Sequence, residues 1–163
     1  ISADNIIKEA QKRNVDASRL IFANKVTIDE HLSRHKLADL FLDTFSFNAH
    51  TTASEALWAG LPVVTKKGKG FAARVAGSLL NSLGVPELIA KNESEYEALI
   101  LELATNPYKL KIVREKVAEN RFSEPLFNTE LYVRHLETGY QLAYQNYFSG
   151  NVPKTIIVPA EMN

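Results

Sequence analysis

The chain has no cysteine among its 163 residues, so neither a disulfide framework nor thiolate chemistry is open to it. It also lacks a charge excess. Nineteen basic residues balance nineteen acidic ones, which leaves no electrostatic footprint for nucleic acid or for an anionic membrane surface. No apolar run approaches the roughly 20 residues that a spanning helix needs, and no signal-peptide pattern opens the sequence. Internal repeats and low-complexity tracts are missing as well. What is present is a 45% apolar composition, sufficient for the core of one soluble domain. A cytoplasmic location is the plain expectation.

The sequence is organised around residues 37–65, LADLFLDTFSFNAHTTASEALWAGLPVVT. Ala38 to Leu42 is an apolar run ending at Asp43, and Leu61 to Thr65 is a second one, so both are expected as strands. Thr52 to Ala59 must then be the connecting helix of a βαβ unit. In open parallel sheets ligands bind beyond the carboxyl ends of the strands, which is where Asn48, His50, Thr51 and Thr52 fall. A helix beginning there presents unpaired N–H groups and a partial positive charge, and the hydroxyls of Thr51 and Thr52 add donors suited to phosphate oxygens. Glu55 lies one turn further on, where a carboxylate can accept two hydrogen bonds from a vicinal diol such as ribose. The same four residues, Thr52-Ala53-Ser54-Glu55, also read as a capping box that only satisfies the helix end. His50 has no second histidine or carboxylate at metal or triad spacing beside it, so a catalytic role is its weakest reading.

These residues carry a resemblance. HTTASEALWAGLPVVT, preceded by LADLFLDTFSFNA and followed by RVAGSLLNSLGVPELIAKNESEYEAL, closely resembles the C-terminal catalytic lobe of the O-linked N-acetylglucosamine transferase family, which includes the plant SPINDLY proteins. The order LAD, LDT, N-x-HTT, LWAG-P-V-T, RVA, LG and ELIAKN is kept over nearly the whole chain. The resemblance implies an α/β fold: a Rossmann-like parallel sheet flanked by helices, the C-terminal lobe of a GT-B enzyme, truncated at its amino end. It implies that residues 1–150 hold the donor nucleotide sugar and that 151–163 form an extended tail. It places Val26, His31, Arg34, His50, Thr51, Thr52 and Glu55 at that donor, with the backbone around Val26 facing the base and His50 at the phosphates.

By spacing alone, His31 and Arg34 share a helix face, which is more often the pattern of a solvated surface than of a ligand site. In the family the acid and base groups come from the other lobe or from the substrate, so no catalytic residue and no metal ligand is expected in this sequence, nor turnover by it alone. The implied donor is UDP-N-acetylglucosamine, with no separate cofactor, and the implied acceptors are Ser and Thr hydroxyls of proteins. SPINDLY-type transfer from GDP-fucose is an alternative, and so is a non-catalytic nucleotide-binding or protein-interaction module. The implied remainder of the protein is an amino-terminal lobe and helical tetratricopeptide repeats.

The other segments read as follows. Ser2 to Asn14 is a helix and Leu20 to Ala23 a short strand, and Thr27 with Glu30 caps a helix to about Lys36. Lys66 to Gly70 is a basic loop, a weak phosphate cradle, before a helix from Ala72 to Leu83 that Gly84 ends. Leu88 to Ala90 is a strand. Asn92 and Glu95 cap a helix with Tyr96, Leu99, Ile100 and Leu103 on one stripe, and Asn106-Pro107 opens the next. After a turn at Arg121 to Pro125, Thr129 to Phe148 is a long helix with Val133, Leu136, Tyr140, Ala143, Tyr144 and Tyr147 on one side, a stripe expected to be core or interlobe packing.

Overall fold

The computed structural model describes residues 2–159, which form two compact units, one reaching to His31 and the other running from Leu32 onward. In the first unit, α1 (Ser2–Lys12) is amphipathic, and the turn that follows it closes at Asn14, whose φ of 57° places it in the left-handed region. Asp16 then caps a single 3-10 turn at Ala17–Arg19 by accepting the Ser18 N–H. The expected strand at Leu20 to Ala23 is absent. Leu20 donates its N–H back to Ala17, no strand pairs with the segment, and Ile21 is 90% exposed. An apolar run becomes a strand only where a neighbour supplies a ladder and a face to bury. The Thr27 capping box does form: the Thr27 Oγ1 accepts the Glu30 N–H while Glu30 Oε2 accepts the Thr27 N–H. It opens α2 (Ile28–Arg34).

The second unit carries a parallel sheet of β1 (Phe41–Leu42), β2 (Val63–Lys66) and β3 (Ile89–Ala90) in that order. Phe41 pairs with Val63 and Thr65 with Ile89. β1 is shorter than the apolar run that announced it, because Ala38 is otherwise engaged. Its N–H closes a 3-10 turn on His35 and its carbonyl accepts from Arg114, whose guanidinium also meets Asp39 at 3.2 Å.

Between β1 and β2 runs α3 (Thr51–Trp58), which buries Ala53, Ala56 and Leu57 and is released by Gly60 at φ +83°. α4 (Val75–Ser82) follows a 3-10 turn at Phe71–Ala73 and buries Ala76, Gly77 and Leu80. α5 (Glu93–Thr105) packs on β2 and β3 with Leu103 buried, and the Asn92 and Glu95 cap is made, Asn92 Oδ1 accepting the Glu95 N–H at 2.9 Å. α6 (Pro107–Ser123) has Pro107 at its first turn and Asn106 as its cap, and it contributes Val117 to the core. Arg121 was expected in a turn. It is still helical, and its Nη1 donates to the Trp58 carbonyl at 2.6 Å, tying α6 to the end of α3.

α7 (Thr129–Phe148) has the expected bounds, yet its aromatic stripe is not core of this unit. Tyr140, Tyr144 and Tyr147 are 60% to 75% exposed, and α7 buries no residue completely. Its later half meets the tail: Asn146 donates to the Val152 carbonyl, and Val158 comes within 3.5 Å of where a Cβ on Gly139 would stand. Residues 160–163 of the expected tail lie outside the described residues.

Candidate functional site

The site is built where β1 stops. Asp43 follows Leu42 directly, with its N–H on the Val64 carbonyl, and it is only 4% exposed. One carboxylate oxygen accepts the Ala49 N–H at 2.6 Å, and the other accepts the hydroxyl of Thr65, on β2, at 2.6 Å. The residues between, 44–49, are thereby folded into a compact turn. Inside it Asn48 Nδ2 donates to the Thr44 carbonyl, and the Asn48 N–H reaches Ala72. Together these bonds fix the point at which the chain enters α3.

His50 is the N-cap of α3, without a side-chain cap bond, and Thr51 and Thr52 are the first two helical residues. That register corrects the capping-box reading. Thr52 is inside the helix rather than at its cap, so it does not hold the capping position that Thr27 holds for α2. The Ser54 N–H bonds the His50 carbonyl, which leaves the N–H groups of the preceding first-turn residues without intrahelical acceptors. Thr51 and Thr52 are exposed, and Glu55, half-buried, follows one turn later on their side of the helix. A cleft of about 330 Å³ at this edge is lined by Asp43, Thr44, Phe47, Asn48, His50 and Thr52, together with the end of β1. Donors at a helix amino end beside such a cleft can hold a phosphate group, and a carboxylate one turn on can hold a diol.

Of the seven residues expected at the donor, the structure gathers His50, Thr51, Thr52 and Glu55 on the first turns of α3. Arg34 is the last residue of α2, in the same unit. Val26 and His31 belong to the first unit, Val26 exposed before α2 and His31 on it. The basic loop is not an open cradle. Lys66 is bonded to Glu93 at 3.0 Å and lies over the Phe45 ring, and the Gly68 N–H closes on Ala73 so tightly that a Cβ there would stand 2.5 Å from the Ala73 methyl. Among the described residues, no group of three His, Cys, Asp or Glu side chains could hold a metal ion, and no helix is long and apolar enough to cross a membrane.

The residues that sequence reasoning passed over are Asp43, Thr65 and Tyr96. The Tyr96 hydroxyl donates to the Asp43 carbonyl at 2.8 Å, and its ring meets Phe45 edge-on at 4.9 Å. Burial, and then the Asp43 charge, push the phenol above its ordinary value. A raised folded value means that this contribution to stability is complete below about pH 10, the phenol's unfolded value, and is lost as pH rises through the folded one. Alkaline denaturation should therefore show a loss of stability above that pH which is smaller in Tyr96→Phe. Identical alkaline slopes for the two chains would refute the assignment.

Comparison with known proteins shows what this chain is similar to. The model of glycosyl transferase family 41 matches residues 1–136. The chain is 40% identical over 147 residues to the UDP-N-acetylglucosamine–peptide N-acetylglucosaminyltransferase of Caenorhabditis elegans, covering 90% of this chain and 13% of that protein. It is 36% identical over 146 residues to the probable enzyme of the same name, SEC, of Arabidopsis thaliana, and 35% over 139 residues to the probable SPINDLY enzyme of Hordeum vulgare. It covers 89% and 85% of this chain and 15% and 14% of those proteins, so the chain spans about a seventh of the length of its curated relatives. A solved structure of a mutant O-GlcNAc transferase from Thermobaculum terrenum superposes with a TM-score of 0.83 at 28% identity, over 88% of this chain and 28% of that one. The parallel sheet with flanking helices is the fold expected of a GT-B carboxyl-terminal lobe.

Proposed function

Because the chain belongs to glycosyl transferase family 41, we propose that it is the donor-binding lobe of a protein O-glycosyltransferase, with UDP-N-acetylglucosamine as donor and Ser or Thr hydroxyls of proteins as acceptors. The observation that carries this reading is the entry of α3 at the carboxyl edge of a parallel β1–β2 pair, with Thr51 and Thr52 exposed on its first turn and Glu55 one turn further. The diphosphate lies against the first-turn N–H groups and the two threonine hydroxyls, and Glu55 takes the ribose diol. Val26, His31 and Arg34 serve the base and its neighbouring groups. Residues 1–150 form the lobe and the remainder the tail. The acceptor-side lobe and the groups that move protons belong to the rest of the enzyme, which is why a reaction that depends on aligning both substrates is not assigned to these 163 residues alone.

The test is a calorimetric titration of the chain with UDP, followed by amide chemical shifts. Weak binding is expected, with the largest shift changes at Thr51, Thr52 and Ala53. Saturating UDP that produces neither heat nor a change near Thr51 would overturn the proposal in favour of a protein-interaction module.

A further inference from the structure

Between Glu55 and Glu87 the sequence contains no acidic residue, although the chain as a whole has as many acids as bases. The cations of that stretch are Lys66, Lys67, Lys69 and Arg74. Lys66 is engaged, bonded to Glu93 at 3.0 Å and lying over the Phe45 ring. The other three are exposed, and their side chains make no hydrogen bond or ion pair among the described residues. Elsewhere exposed bases find acids, as Lys12 and Arg13 do with Glu9 and Lys116 does with Glu87. These three do not.

The fold gathers them in one place. The Gly68 N–H bonds the Ala73 carbonyl at 2.7 Å, which closes residues 68–73 into a loop with Lys67 and Arg74 at its ends and Lys69 and Phe71 on it. Phe71 is 83% exposed. It forms one wall of a mostly apolar cleft of about 510 Å³, whose other lining residues are Arg74 and, on α4, Val75, Ser78 and Leu79. The Phe71 ring meets the His50 ring edge-on at 6.1 Å, so this face borders the cleft at the head of α3, but Phe71 is not in that cleft's lining.

A solvated basic turn accounts for the lysines but not for the combination. Three like charges on one short loop repel one another, and an aromatic ring left in water beside an apolar cleft forgoes its burial, so neither feature stabilises the isolated chain. One kind of ligand meets both. A polypeptide segment can carry carboxylates for the cations and an apolar side chain for the cleft. A nucleic acid strand matches the cations alone, and the chain's zero net charge gives it no wider attraction.

We propose that the face formed by Lys67, Lys69, Phe71, Arg74, Val75 and Leu79 docks an acidic segment of a partner protein, its carboxylates against the three cations and an apolar side chain in the α4 cleft. The donor-site reading is not a premise of this inference, and no nucleotide enters its test.

The probe is a fluorescent peptide with glutamate pairs on either side of one leucine, titrated with the whole chain and followed by anisotropy. Binding at concentrations up to about 1 mM is expected, and its absence would overturn the proposal. Replacing Lys67, Lys69 and Arg74 together by glutamine should weaken it about tenfold, and Phe71→Ala about threefold or more. All four side chains are exposed, so the variants should melt with the natural chain, which separates lost docking from lost fold. Glutamine for glutamate in the peptide, or salt raised from about 0.1 M to about 1 M, should weaken binding to a similar degree as the triple variant. Equal affinity for the glutamine peptide, or for the triple variant, would sink the charge match. Light scattering of the chain alone completes the test: self-association that the triple variant abolishes would make the occupant a second copy and overturn the proposal.

Discussion

Asp43→Ala should destabilise the second unit by about 3 kcal/mol, a large fraction of the roughly 5 to 15 kcal/mol that holds a typical domain together. The carboxylate is buried and serves two donors from different parts of the chain, the Ala49 N–H and the Thr65 hydroxyl, each at 2.6 Å. Alanine leaves both unmet in a place where water does not replace the lost acceptor: Thr65 is completely buried and Ala49 half-buried. Each stranded polar group costs about 1 to 3 kcal/mol, which sets the size of the effect. Asp43→Asn should cost less, because the amide oxygen still accepts from Ala49 and the Thr65 hydroxyl can rotate to accept from the amide nitrogen. Thr65→Val removes one donor while keeping the shape, and should cost about 1 to 2 kcal/mol. Denaturant unfolding of the three variants checks the order. If Asp43→Ala falls within about 0.5 kcal/mol of the natural chain, the bonds seen at Asp43 carry no weight.

The same variant should also impair the ligand site, through geometry rather than contact. The turn at 44–49 is the segment that sets where α3 begins, and the Asp43 to Ala49 bond closes it. Without that bond the first turn of α3 can start at a different residue, and the N–H groups no longer converge on one point. Thr65 exerts its influence from a strand 22 residues away, because the β1–β2 register brings it beside Asp43.

That separation explains what could be read from the sequence and what could not. The βαβ unit was legible because two apolar runs and a polar turn are local signals, and so were the Asn92, Asn106 and Thr27 caps, each of which needs only three or four residues. The GT-B lobe and the family were legible from the order of short motifs. Asp43 looked like the polar end of a strand, since nothing within reach of it in sequence reveals a partner at Thr65. Leu20 to Ala23 failed for the reverse reason: its composition suited a strand, but strand pairing is a property of the neighbour. Thr52 misled by two residues of register, since the cap is His50. The chain enters α3 at His50, held by the bonds of the turn before it, and a box read from spacing does not see them. The tyrosines of α7 have the periodicity of a buried face, while the packing of this unit leaves them exposed.

Glu55→Gln should weaken nucleotide binding by roughly 1.5 to 3 kcal/mol, about tenfold or more, while changing stability by no more than about 0.5 kcal/mol. The register of α3 sharpens this expectation. Had Thr52 been the cap, Glu55 would have been explained as its capping partner, and glutamine would serve there nearly as well. With His50 at the cap and Thr52 inside the helix, the capping box does not by itself account for Glu55, a half-buried carboxylate one turn beyond two exposed threonines. The substitution keeps the size of the side chain and one acceptor oxygen, and replaces the other with a donor. A vicinal diol needs two acceptors at this point, so the amide forfeits one bond and weakens the other by losing the charge. Nucleotide affinity and melting temperature are measured on the same preparations of both forms. Unchanged affinity with unchanged melting would remove the diol from Glu55, and a fall in melting temperature large enough to account for the affinity loss would return the residue to a structural role.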